Sequence, residues 1–136
     1  MANEATLVFE LETPIPFTVA NATGIEKGAL LAMTDPMTAI LVSADGTEAI
    51  AWVAAEEKIA SDGKTKIGVY RRGIFKMLAG GAVTVGESVI SNGSTLANEV
   101  ITAAVNSENI VGIALETVAD TETFLVELNI IKPNLA

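Results

Sequence analysis

The chain contains no cysteine and no histidine. Those two absences remove disulfides, thiolate nucleophiles, the usual zinc ligands and the one side chain that titrates near neutrality, and much of common catalysis goes with them. Aromatic residues are few: one Trp, one Tyr and four Phe. Positive charge is scarce too, with 8 Lys and Arg against 17 Asp and Glu, a formal charge of −9. Such a protein repels phosphate backbones, so nucleic acid is not an expected partner. No apolar run approaches the ~18 to 20 residues that span a bilayer. The start, Met1-Ala2-Asn3-Glu4, lacks the basic and apolar regions of a secretory leader. The expectation is an intracellular, soluble product with no membrane partner and no cofactor.

What is present is β-forming. At 136 residues the chain is expected to form one body with an arm. From Thr6 to Glu12, Leu7, Phe9 and Leu11 alternate with polar positions at period two, a strand signature with Glu10 and Glu12 on the other face. Pro14 and Pro16 rule out a helix and a central strand position. Residues 1–16 therefore read as an extended N-terminal arm and first strand, and residues 17–136 as a single β-rich domain.

Apolar stretches follow at Ala29 to Met33, Ala39 to Val42, Ala49 to Ala55, Lys66 to Met77, Glu87 to Ile90, Val100 to Val105, Ile110 to Leu115 and Thr123 to Ile131. Turn signals separate them, among them Asp45-Gly46, Asp62-Gly63, Gly80-Gly81 and Asn92-Gly93. Short, evenly spaced strands with such turns predict an all-β fold, a small sandwich or barrel-like body. Two short helical turns compete locally: Glu48 to Ala60 is rich in Ala and Glu, and Gly81 to Ser91 allows another.

The chain also resembles itself. Ile25 to Leu31 repeats as Val83 to Val89 at an offset of 58, and Val53 to Glu56 as Ile113 to Glu116 at an offset of 60. A duplication would give two related sheets sharing one core. Two copies in a chain of simple composition also arise by chance, so both readings stand at this point.

Motifs with chemical promise fail on context. Gly63-Lys64-Thr65 looks like the end of a phosphate-binding loop, but Lys58 stands where the first glycine is needed and Lys66 to Tyr70 reads as a strand. Glu56-Glu57 would diverge on a strand, and Glu10 with Glu12 lie on a polar face, so neither makes an acid–base pair. Asp35-Pro36 and Asp120-Thr121-Glu122 lack the density of oxygen donors of a calcium loop. The chain is therefore not expected to be an enzyme or to bind a metal. Six of the eight basic residues, Lys58, Lys64, Lys66, Arg71, Arg72 and Lys76, fall within nineteen positions. Of these, Lys64, Lys66, Arg71, Arg72 and Lys76 form a candidate contact patch for carboxylates, against the plainer reading of a solvated hairpin.

The stretch from Trp52 to Val85 carries a family likeness. Its Ala54-to-Lys58 segment, Asp62-Gly63 turn, Gly68-to-Phe75 strand and Gly81-to-Gly86 turn resemble, in that order, the capsid decoration (cement) proteins of tailed phages. The closing strands from Ile110 to Glu116 and Phe124 to Ile130 resemble that family as well. The resemblance implies a β-rich homotrimer on the outer surface of the virion, made in the host cytoplasm. It would bind the major capsid protein at three-fold and quasi-three-fold junctions and stabilise the expanded head. In that setting Leu7, Phe9 and Leu11 become a capsid-binding arm that adds a strand to a neighbour. The rival from another class is a β-sandwich binding module, an adhesin or carbohydrate-binding domain. Such modules usually display aromatics for stacking, which this chain has in small number.

Overall fold

The computed structural model describes residues 4–42, 50–92, 98–103 and 109–128. The expected turn at Asp45-Gly46, the part of the Asn92-Gly93 turn beyond Asn92, and the expected strand ends at Val105 and Ile131 lie outside them. Every element described is a strand: β1 (Thr6–Glu10), β2 (Ile15–Thr18), β3 (Leu30–Met33), β4 (Ala39–Leu41), β5 (Ile50–Ala54), β6 (Lys66–Tyr70), β7 (Gly73–Ala79), β8 (Ser88–Ser91), β9 (Glu99–Thr102), β10 (Gly112–Ala114) and β11 (Thr123–Leu128). The all-β expectation holds. The Ala- and Glu-rich stretch contributes β5 and no helix, because Trp52 and Val53 bury their bulk in a sheet and outweigh the helical propensity of their neighbours.

The strands form two sheets, β1-β7-β11-β10-β8-β9 and β2-β6-β5-β3-β4. In the first, β7 also pairs in parallel with β9 through Leu78 with Glu99 and Ala79 with Val100, which closes five strands into a barrel. In the second, a parallel bridge between Thr18 and Thr38 joins β2 to the start of β4. Setting β1 aside, the two sheets have one strand order: first, fifth, fourth, second, third.

The duplication is visible in hydrogen bonds. Gly28 and Gly86 both have a φ of 89° and donate their N–H to Ala54 and Ala114, each at 2.8 Å. Ile25 and Lys58 exchange both backbone hydrogen bonds, and so do Val83 and Val118. Glu56 accepts the Gly68 N–H at 3.0 Å, as Glu116 accepts that of Leu125 at 2.9 Å. The repeated Ala-x-Glu is thus a cap that satisfies a backbone donor of the next strand. We call residues 15–70 the first half and 73–128 the second.

The halves do not share one core. Phe17, Leu31, Ile67 and Val69 fill the inside of the first half. A larger cluster combines the interior of the second half, with Phe75, Met77, Phe124 and Val126, and the outer face of the first, with Leu30, Ala32, Trp52 and Val53. Full burial of one such side chain contributes roughly 1.5 to 3 kcal/mol. Polar groups fix the docking. The Leu30 N–H donates to Asn98 Oδ1 at 2.9 Å, and the Trp52 indole N–H donates to the Val111 carbonyl at 2.8 Å. Trp52 has a φ of 77° at a bulge in β5, which turns its ring towards the second half.

The stretch from Lys66 to Met77, read as one apolar segment, is two strands in different sheets. Arg71 and Arg72 carry the chain from one half to the other. Pro16 lies in β2 on the sheet edge away from β6, where a missing N–H breaks no ladder. The boundary expected between residues 16 and 17 falls inside this strand.

Candidate interaction surface

The N-terminal segment is laid across both halves. The Ala5 N–H donates to the Gly28 carbonyl of the first half at 2.8 Å, while β1 pairs antiparallel with β7 of the second. Ala5 is buried, and Leu7 packs against the larger core. The common face expected for Leu7, Phe9 and Leu11 is broken. Leu7 pairs with Phe75 but Phe9 pairs with Ile74, a bulge that moves Phe9 to the opposite side of the sheet. Phe9 is accordingly 59 % exposed, with Leu11 at 48 % and Val8 at 40 % beside it.

The outer face of the second half continues this apolar strip. A single rung runs Phe9, Ile74, Glu127, Ile113, Ser88 across five strands. Ile74 and Ile113 are part-exposed, and neither belongs to or packs against a core cluster. Period-two reading of β7 and β10 could have found both, since core-facing Phe75 and Ala114 are their neighbours.

The basic residues do not form one patch. Lys58 is a buried staple. Its ammonium donates to the carbonyls of Asn21 (2.5 Å), Thr23 (2.9 Å) and Ile59 (3.3 Å), with Asp62 at 3.6 Å. Lys64 pairs with Glu56 at 3.0 Å. The Arg71 guanidinium lies 4.1 Å over the Trp52 ring and 5.8 Å from that of Phe17. Its burial pushes its pKa down, against the pull of Glu12. Lys66 and Lys76 are exposed on different sheets, and Arg72 is part-buried beside Arg71. The Gly68 and Lys64 contacts hold the Glu56 carboxyl below its ordinary value, and the Lys64 backbone N–H does the same for Asp62.

Among the described residues no three acidic, His or Cys side chains gather as a metal site, and no helix is long and apolar enough to cross a membrane. An open cavity of about 380 Å³ is lined by Gly24 to Glu26, Leu41 and Glu57 to Ala60, and the Lys58 ammonium among them is already bonded.

No curated protein matches the sequence. The structure is similar to that described as "head fiber gp8.5 N base in bacteriophage phi29", with a TM-score of 0.56 at 16% identity, covering 88% of this chain and 98% of that one; at that identity the likeness shows a shared fold. Residues 10–130 match the family described as phage cement protein. That match takes in both halves and the connection between them, and the chain belongs to the phage cement protein family, the structural proteins of phage heads.

Proposed function

We propose that the protein decorates the outer surface of a tailed-phage head as a homotrimer, bridging copies of the major capsid protein at three-fold and quasi-three-fold junctions and stabilising the expanded shell. The observation that carries this reading is the family match across residues 10–130. The physics suits that role, because packaged DNA pushes capsid subunits apart and a trimer touching several of them resists through the sum of individually weak contacts. A charge of −9 also keeps such a protein off the packaged DNA.

On this reading the exposed Val8, Phe9 and Leu11 meet the capsid, and the exposed Lys66 and Lys76 are the basic groups available to its carboxylates. Deleting residues 1–16 would remove β1 and half of β2 from their sheets, so point substitution is the cleaner test. The chain carrying Phe9→Ser and Leu11→Ser is expected to keep its thermal transition and its mass by light scattering, and to lose co-sedimentation with expanded heads. Undiminished pelleting of that variant refutes the contact. A wild-type chain that ignores heads refutes the function.

A further inference from the structure

The two halves are copies of one unit, yet their outer faces are treated differently. In the first half the rung Leu30, Val53, Tyr70 crosses β3, β5 and β6. Leu30 and Val53 are fully buried against the second half, and the Tyr70 ring meets Phe75 edge to face at 5.5 Å. The matching rung of the second half is Ser88, Ile113, Glu127, fixed by the same pairings of β8, β10 and β11. Ser88, Ile113 and Glu127 are each part-exposed, Ile113 neither belongs to nor packs against a core cluster, and the rung continues through the part-exposed Ile74 to the exposed Phe9.

The receiving side is duplicated as well. The second half takes the first through Asn98, just before β9. Glu99 and Thr38 are equivalent, because they pair in parallel with the equivalent residues Leu78 and Thr18 of the opening strands, and the pairs Ile90 with Ile101 and Ala32 with Ile40 give the same register. Asn98 therefore corresponds to Met37, and Ile101 to Ile40. Met37 is 46 % exposed and Ile40 39 %, and Met37 stands where the other half has Asn98, the residue that accepts the Leu30 N–H. One half thus offers a part-exposed face centred on Ile113, and the other two exposed apolar side chains, Met37 and Ile40.

We propose that copies of this chain associate head to tail, the Ile113 face of one seating on the Met37 and Ile40 edge of the next. The position is equivalent to the contact that joins the halves within one, but Gly112 replaces Trp52 and Met37 replaces Asn98, so the contact between chains is apolar where the internal one is hydrogen-bonded. A heterologous contact of this kind either closes into a ring or runs on as a filament. Resting on the homotrimer reading above, the ring has three chains and six equivalent halves. The replacement of Leu30 and Tyr70 by Ser88 and Glu127 fits a face that must remain compatible with water before assembly.

The absence of cysteine makes the test clean. Ile113→Glu and Met37→Glu are each expected to convert the trimer into a folded monomer by light scattering and circular dichroism. Independently, Met37→Cys and Ile113→Cys are treated with a short bis-maleimide. The double variant is expected to give a band of three chains on a denaturing gel, and each single variant only single chains. Cross-linking of a single variant with itself, or none in the double variant, overturns the proposal. If the wild type is a trimer in those cases, the homotrimer reading survives and the interface lies elsewhere; a monomeric wild type removes both.

Discussion

Replacing Gly28 and Gly86 by alanine, one at a time, separates what the N-terminal strand contributes from what the turn itself requires. Both glycines have the same positive φ and the same hydrogen bond to the closing alanine. An alanine at either pays the left-handed penalty of roughly 1 to 2 kcal/mol. Effects on the unfolded chain are the same for both and cancel in the comparison. At Gly86 an added Cβ meets nothing within 4 Å. At Gly28 it would overlap the Ala5 carbonyl oxygen and lie 2.9 Å from Glu4 Cβ, so the segment leading into β1 must lift. That loses the Ala5 hydrogen bond, about 1 kcal/mol, and the burial of a methyl group, about 1 kcal/mol more. Gly28→Ala should therefore be less stable than Gly86→Ala by about 2 kcal/mol, or about 8 °C in Tm for a domain of this size. Thermal unfolding of both variants measures it, with the single buried Trp52 as the fluorescent reporter. Equal losses would mean that the N-terminal segment is not held against Gly28.

Lys58→Met leaves three loop carbonyls without the ammonium that gathers them, and should destabilise by about 3 kcal/mol, read as a lower urea midpoint with an unchanged slope. Glu56 and Asp62 give a pH dependence whose sign follows from their lowered folded-state values. Their contribution is complete above the ordinary carboxylate range and is lost as pH falls through it towards the folded values, so Tm should drop between about pH 5 and 3. Glu56→Gln should flatten part of that drop, and an identical profile would remove Glu56 from the account.

Strand identity was legible in the sequence because nearly every apolar stretch is bounded by a turn residue that tolerates positive φ. Gly63, Gly28 and Gly86 all have φ near 90°. The β6–β7 junction was missed although Arg71, Arg72 and Gly73 interrupt the apolar pattern there, because two residues between strands look the same whether the chain turns back in one sheet or crosses to another. The role of Lys58 was hidden for a related reason. A lysine beside acidic residues reads as solvated surface, and only the folded arrangement of Asn21, Thr23 and Ile59 brings three carbonyls to one ammonium.

The arm shows where period-two reasoning fails. Leu7, Phe9 and Leu11 alternate perfectly in sequence, but one extra residue in the ladder opposite Ile74 reverses the facing of everything after Leu7. The bulge keeps Leu7 as an anchor in the core and turns Phe9 outward, so one short strand fastens the protein to itself while presenting an apolar side chain to another surface. A strand held at Gly28 and along β7 has already lost most of its conformational entropy, and ordering it again on binding has little further to overcome. On the reading proposed above, that favours a contact preformed in the free protein over a tail that folds on the capsid, with the head taking the Phe9 end of the rung and the next copy its Ile113 end, so that the two contacts use different residues.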